Sequence, residues 1–314
     1  MPRYTIIAQL RNLHAPAVEV VFGDFALRSS GTAGWERVRE LFGAHNVARD
    51  DWFYERSYES PAWIPPQRRD PMVRDLEDAL FLLRLFRTGN LAFMGLVIES
   101  DTEAPVRLMW NRSMAFDADW PEYEIDEDEV PEWEAFAAEL RQATAWNAPW
   151  FGTARRFFTH GAAKPINTYF GDGDRFVDYC VVLEATLVPE TDRVGVLLRR
   201  RVEALLGTDY ASGRVKKLTK DLYGIRSSIV HGRELSTTEK ETMTADHLAY
   251  EQLLRDVLIA ALRRLPGDEE GRSETLLAMA DLTPEDRISF IEEKVRSLRP
   301  EEVEIAKARV LKLL

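Results

Sequence analysis

The spacing of apolar positions changes along the chain. Residues 1–30 alternate apolar and polar in "YTIIAQL" and "VEVVFGDFAL". That period of two predicts strands of a small sheet. "GWERVRELFG", residues 34–43, has the spacing of a short helix. Residues 45–70 are rich in Trp, Tyr, Pro and Arg and show no period, which predicts an irregular segment packed by its aromatics. "DPMVRDLEDALFLLRLFRTGN", residues 70–90, opens on Asp-Pro and closes on Gly-Asn, the start and stop signals of a helix. "LAFMGLVIES" and "PVRLMW" follow as two strands. The acidic stretch 117–132, with Pro121 and Pro131, predicts a loop or linker.

From Trp133 onward the period is helical. "DRFVDYCVVLEATLVP", 174–189, stops at Pro189. "TDRVGVLLRRRVEALLG", 191–207, begins at a capping Thr191 and stops at Gly207. "SGRVKKLTKDLYGIRSSIVHG", 212–232, has Ser212 as its cap and Gly232 beyond its C-terminus. A single helix is expected over 236–267, opened by a capping box from Ser236 to Glu239 and closed by Pro266-Gly267. Four amphipathic helices with short connections predict a bundle. Two shorter helices are expected near 284–298 and 301–314. The fold class is α+β: a mixed α/β N-terminal domain over 1–132, a helical connector over 133–172, a four-helix bundle over 173–267 and a helical tail over 268–314.

Composition adds compartment and charge. The single cysteine, Cys180, excludes an internal disulfide and fits a reducing compartment. The N-terminal "MPRYTIIAQL" lacks the apolar run of a signal peptide, and the longest uncharged apolar run, "LAFMGLVI", is too short to cross a bilayer. A cytoplasmic protein with no membrane partner is expected. The net charge is −12, but it is unevenly spread. Asp117 to Glu139 carries eleven acidic residues and no Lys or Arg, whereas Arg193 to Arg233 carries ten basic against three acidic. A local positive field of that kind can gather a polyanion; a solvated helix face reads the same way. Arg199, Arg200, Arg201, Lys216, Lys217 and Lys220 are the candidates for tracking phosphates. The acidic stretch 117–139 could lie over that basic face and compete with RNA, or simply solubilise a loop. No phosphate loop, dinucleotide fingerprint or metal-spaced His or Cys cluster is visible, so no cofactor and no metal is expected.

"IRSSIVHGRE", 225–234, ends the basic segment and places Arg226 five residues before His231. The spacing alone says little, because "RRFFTH" repeats it at Arg155 and His160, where packing plus a surface arginine is the simpler account. The surroundings distinguish the two. "LYGIRSSIVHG" is very similar to the signature helix of the HEPN superfamily, and most closely of its Apea-like branch. "RFVDYCVVLEATLVPE" resembles that family's first helix and "RVGVLLRRRVEALLG" its second. The resemblance spans roughly residues 173–265. It implies a HEPN helical bundle that dimerises and, in many members, cuts RNA without a metal. By that resemblance Arg226 and His231 are the catalytic pair, with Ser227, Glu184 and Tyr223 in support and Arg233 beside the RNA. Some members carry a tyrosine two residues after the histidine and are regulated through it; Arg233 stands there, so that control is not expected. Stress response or phage defence, with an unknown trigger bound by the N-terminal domain, is what the family implies. A non-catalytic RNA-binding or scaffold module is the alternative.

The chemistry suits these side chains. RNA brings its own nucleophile, the 2′-OH. Histidine titrates near neutrality and can take or give the proton, and arginine keeps its charge and grips two phosphate oxygens. The expected products are a 2′,3′-cyclic phosphate and a 5′-OH. Five residues along an ideal helix turn roughly 140° beyond a full circle, so Arg226 and His231 do not share a face. Either the helix ends at His231, or the partners come from two subunits.

Overall fold

The computed structural model describes residues 2–30, 32, 35–43, 47–48, 51–60, 70–89, 91–101, 106–108, 121–162, 172–189, 194–207 and 212–279. The protein is mixed α+β. Strands β1 (Arg3–Arg11), β3 (Glu19–Val21), β4 (Ala26–Ser29), β5 (Trp52–Glu59), β6 (Ala92–Ser100) and β7 (Val106–Leu108) form an antiparallel sheet in the order β3-β4-β5-β1-β6-β7. Between β1 and β3 lies the short β2 (Leu13–His14), which pairs in parallel with β8 (Tyr123–Glu124).

The central strand shows why the period of two was readable. Tyr4, Ile6, Ala8 and Leu10 of β1 enter the main core, while Ile7 points to a small second core with Phe53, Val97 and the end of helix α1 (Trp35–Phe42). Helix α2 (Asp70–Phe86) joins the main core through Leu76, Ala79, Leu82 and Leu83.

Strand β5 overturns the expectation of an irregular segment over 45–70. Trp52, Phe53 and Tyr54 are all buried because the two faces of the sheet are both covered there, so no alternation survives. Its polar residues are paired instead: Glu55 with Arg28 of β4, and Arg56 with Asp24 in the β3–β4 loop and Asp75 of α2. The acidic stretch also differs from expectation. Within it lie β8 and a 3-10 turn at Glu127–Glu129, capped by Asp126, and Tyr123 and Ile125 are buried.

The helices continue with α3 (Val130–Gln142), α4 (Pro149–Ala162), α5 (Asp172–Leu187), α6 (Val194–Leu206), α7 (Ser212–Val230), α8 (Thr237–Ala245), α9 (His247–Arg264) and α10 (Glu269–Met279). Helices α5, α6, α7 and α9 pack on one another, and α4 lies along α5. The single helix expected over 236–267 is two: Asp246, at φ −105 and ψ 10, ends α8 and begins α9. The capping box from Ser236 to Glu239 is present as expected. Gly207 and Gly232, expected as helix stops, both have positive φ, 69 and 66. The caps expected at Thr191 and Ser212, and the helices near 284–298 and 301–314, fall outside the described residues and side chains. Buried side chains of the sheet, α2, α3, α4 and the later helices join in one continuous core.

Arginines hold several helix ends. Carbonyls of the last turn have no partner within the helix, and a cation there also meets the negative end of the helix dipole. Arg272 donates to the carbonyls of Ala185 and Thr186 at the end of α5. Arg201 donates to Leu187 O at 2.7 Å and to Leu276 O at 3.0 Å. Arg201 is fully buried, so it does not belong to a surface patch. Its position in "LLRRRV" is in phase with Leu197, Leu198, Val202 and Leu205, the inward face of α6.

Candidate functional site

Helix α7 turns Val215, Leu218, Leu222, Ile225 and Ser228 into the protein. Lys216, Lys217, Lys220 and Gly224 are exposed on the opposite side. Arg226 and Tyr223 lie between the two faces, half-buried, Arg226 towards Glu184 of α5 and the Tyr223 ring beside Gly195 of α6.

Arg226 meets Glu184 of α5 at 3.5 Å, through Nη2 and Oε1, with both side chains about a quarter exposed (26% and 24%). The pair is long for a charge-assisted contact. The guanidinium also lies 5.9 Å from the centre of the Tyr223 ring, within cation–π reach. Its Nε is buried and has no hydrogen-bond partner among the described residues. Burial pushes the Glu184 carboxyl above the usual carboxylate range, and the Arg226 charge opposes that rise. Cys180, one turn earlier on α5, is fully buried, and burial pushes its thiol up. It behaves as a core residue, its Sγ directed at Leu222 O.

His231 follows the last residue of α7. Gly232 N donates to Ile229 O at 3.0 Å and Arg233 N donates to Ser228 O at 2.8 Å, the paired bonds of a Schellman ending. His231 is therefore the C-cap residue, and its side chain is exposed. Its N–H donates to Ser227 O, one turn earlier, where Ser227 is half-buried. The helix thus ends where the histidine stands, with Arg226 paired to α5 and His231 exposed.

The flanking cations differ in freedom. Arg233 is bound to Ser228 Oγ and to Glu239 Oε1, the latter at 2.8 Å, which ties the turn after α7 to the capping box of α8. Lys216 pairs with Glu203 at 3.0 Å and Lys217 lies 3.9 Å from Asp246. Lys220 is exposed. Arg199 donates to Gly195 O on its own helix, and Arg200 is half-buried. Three of the acidic residues that were candidates for covering this face are bonded elsewhere: Glu129 with Arg87, Glu134 with Gly23 N, and Glu139 with Arg263. The control pair behaves as packing. Arg155 is bound to Asp78 and lies over Trp146, and His160 packs edge-on to Phe157.

A charged cluster was not anticipated. Arg84 of α2, Arg175, Asp178 and Tyr179 of α5, and Glu251 and Arg255 of α9 are all buried. Its signal in the sequence was phase: Glu251 and Arg255 share the apolar stripe of α9 with Leu254 and Leu258. Among the described residues no group of three or more His, Cys, Asp or Glu is placed to hold a metal ion, and no helix is long and apolar enough to cross a membrane. Comparison with family models, with curated proteins and with solved structures finds no match to this chain.

Proposed function

We propose that the protein is a metal-independent endoribonuclease, with Arg226 and His231 as its working pair. One observation carries the reading: a half-buried arginine with a single long ion pair and an unpartnered, buried Nε. Such a donor is costly to leave unmet, and a phosphate bridging two guanidinium nitrogens meets it.

In this reading the 2′-oxygen forms a bond to phosphorus while the bond to the 5′-oxygen breaks. One imidazole takes the 2′-OH proton, and a second, protonated imidazole gives a proton to the departing 5′-oxygen. The cyclic phosphate and 5′-OH balance the step. Arg226 stabilises the extra charge on the phosphorane, a role whose loss typically costs roughly 3–4 kcal/mol of barrier. The exposed His231 at a helix end supports an arrangement in which two copies of the chain each supply one histidine to a shared cleft. Tyr223 and Glu184 hold the guanidinium. Lys216, Lys217 and Lys220 on the first half of α7, with Arg199 and Arg200 on α6, are assigned to the rest of the strand, and Arg233 to the stretch beyond the end of α7. Stress response or phage defence is the setting that the resemblance to the HEPN superfamily implies.

The test is cleavage of a labelled structured RNA in EDTA by wild type, Arg226→Ala and His231→Ala, with end-group analysis. The reading expects cutting by wild type alone, leaving cyclic phosphates. Binding of RNA by all three without cutting would instead make the protein an RNA-binding module built on the same helices.

A further inference from the structure

We infer that the last turn of α2 is a joint through which the β2-β8 pair and α9 set the position of α5, and with it the Glu184–Arg226 pair. The inference rests on reading Arg226 as the working cation.

The carbonyls at the end of α2 are met from two sides. Tyr123 of β8 donates its hydroxyl to Leu83 O at 2.7 Å. From α9, Arg255 donates to Leu85 O at 2.7 Å and to Phe86 O at 2.9 Å. It also binds Gln252 at 2.8 Å and the Thr88 hydroxyl, which itself donates to Gln252. The β2-β8 pair and α9 therefore bond neighbouring carbonyls of the same helix end. Neither can shift without leaving charged or backbone groups unmet in a buried place.

The connection continues into α5. One turn before Arg255, the buried Glu251 accepts from the Tyr179 hydroxyl at 3.3 Å. The charges of Arg84 from α2 and Arg175 from α5 act on the same carboxylate. Tyr179 is held in turn by α4, since a Cβ at Gly161 would come within 2.7 Å of its ring. Tyr179 and Glu184 lie on the same unbroken helix, so a displacement of α9 that moves Tyr179 also moves Glu184, and Glu184 is the ionic partner of Arg226. Packed charged contacts of this kind have discrete arrangements, which is what carrying a change between distant sites requires.

The experiment is deuterium exchange by the full chain, comparing wild type with Arg255→Met and with the milder Thr88→Val. Val20→Ala, a truncation in the sheet at β3, serves as a control for general loss of stability. The joint predicts amide exchange faster by roughly tenfold or more in 82–89, in 172–187 and in 219–231 for Arg255→Met, with a smaller change of the same pattern for Thr88→Val. Acceleration confined to the end of α2 and to α9 would overturn the inference, as would equal acceleration of α7 in the control. If Arg255→Met does not fold, Thr88→Val decides by the same pattern. The exchange result is independent of RNA. Should Arg226→Ala still cut RNA, the reading of Arg226 fails while the joint is judged on exchange alone.

Discussion

Two glycines on neighbouring helices offer a matched test of the packing around Arg226. Gly224 lies within α7, and a Cβ built there meets nothing within 4 Å. Gly195 lies in the first turn of α6, and a Cβ there would stand 2.9 Å from both Cδ1 and Cε1 of Tyr223. The change to alanine is chemically identical at both. Replacing glycine in a helix interior gains about 0.5–1 kcal/mol from backbone entropy. At Gly224 nothing opposes that gain, so Gly224→Ala is expected to stabilise by about that amount.

At Gly195 the gain is smaller, because the first turn is less demanding of helix propensity. The ring must retreat by about half an ångström to reach ordinary contact, and overpacking of this kind costs about 1–3 kcal/mol. Gly195→Ala is therefore expected to destabilise, and to separate from Gly224→Ala by about 2 kcal/mol. Urea unfolding at constant m measures both. Equal stabilisation by the two substitutions would show that Tyr223 does not press on α6. It would also remove the support this contact gives to the guanidinium of Arg226, 5.9 Å from the same ring.

Three further outcomes follow from the structure. Arg201→Met leaves the carbonyls of Leu187 and Leu276 unpaired and should lose about 3 kcal/mol or more of stability, while Arg200→Ala next to it should change stability by less than about 1 kcal/mol; chemical denaturation distinguishes them. Gly232→Ala places a Cβ on a residue at φ 66 and should cost about 1–2 kcal/mol through backbone strain alone, visible as a lowered Tm. Bonds from the Ser236 backbone and hydroxyl and from Ser228 hold the half-buried Glu239 carboxyl below its usual range, helped by Arg233. A depressed folded value gives stability that is present above the unfolded value of about 4.3 and is lost as pH falls through the folded one. The Tm gap between wild type and Glu239→Gln should thus be steady near neutrality and shrink below about pH 4.3.

Much of the fold was readable from local chemistry. The Asp-Pro start of α2, the glycine stops at 207 and 232 and the capping box at Ser236 each rest on it, and each stands as expected; β1 is a strand as expected although Ile6 to Leu10 are buried on both faces. Strand β5 escaped because it is covered on both sides, so Trp52, Phe53 and Tyr54 leave no period to see. The break at Asp246 escaped because the apolar spacing runs through it, with Met243 and Tyr250 both buried, and neither Pro nor Gly marks it.

The site divides along the same line. That α7 ends at His231 followed from Gly232, a local signal. That Arg226 meets Glu184 followed from no spacing within α7, since the partner lies on another helix. The basic run 199–201 shows what composition conceals. Three adjacent arginines face about 100° apart on a helix, so they cannot all join one surface. One of them, Arg201, shares the phase of Leu197, Leu198, Val202 and Leu205 and is buried. Glu251 and Arg255 repeat the point on α9. A charge in phase with an apolar stripe is bound to find its partner inside the protein, because burial without one is prohibitive. Counting charges by segment treats such residues as surface, whereas sorting them by helical phase separates the lysines that face outward on α7 from the arginines that hold the helices together.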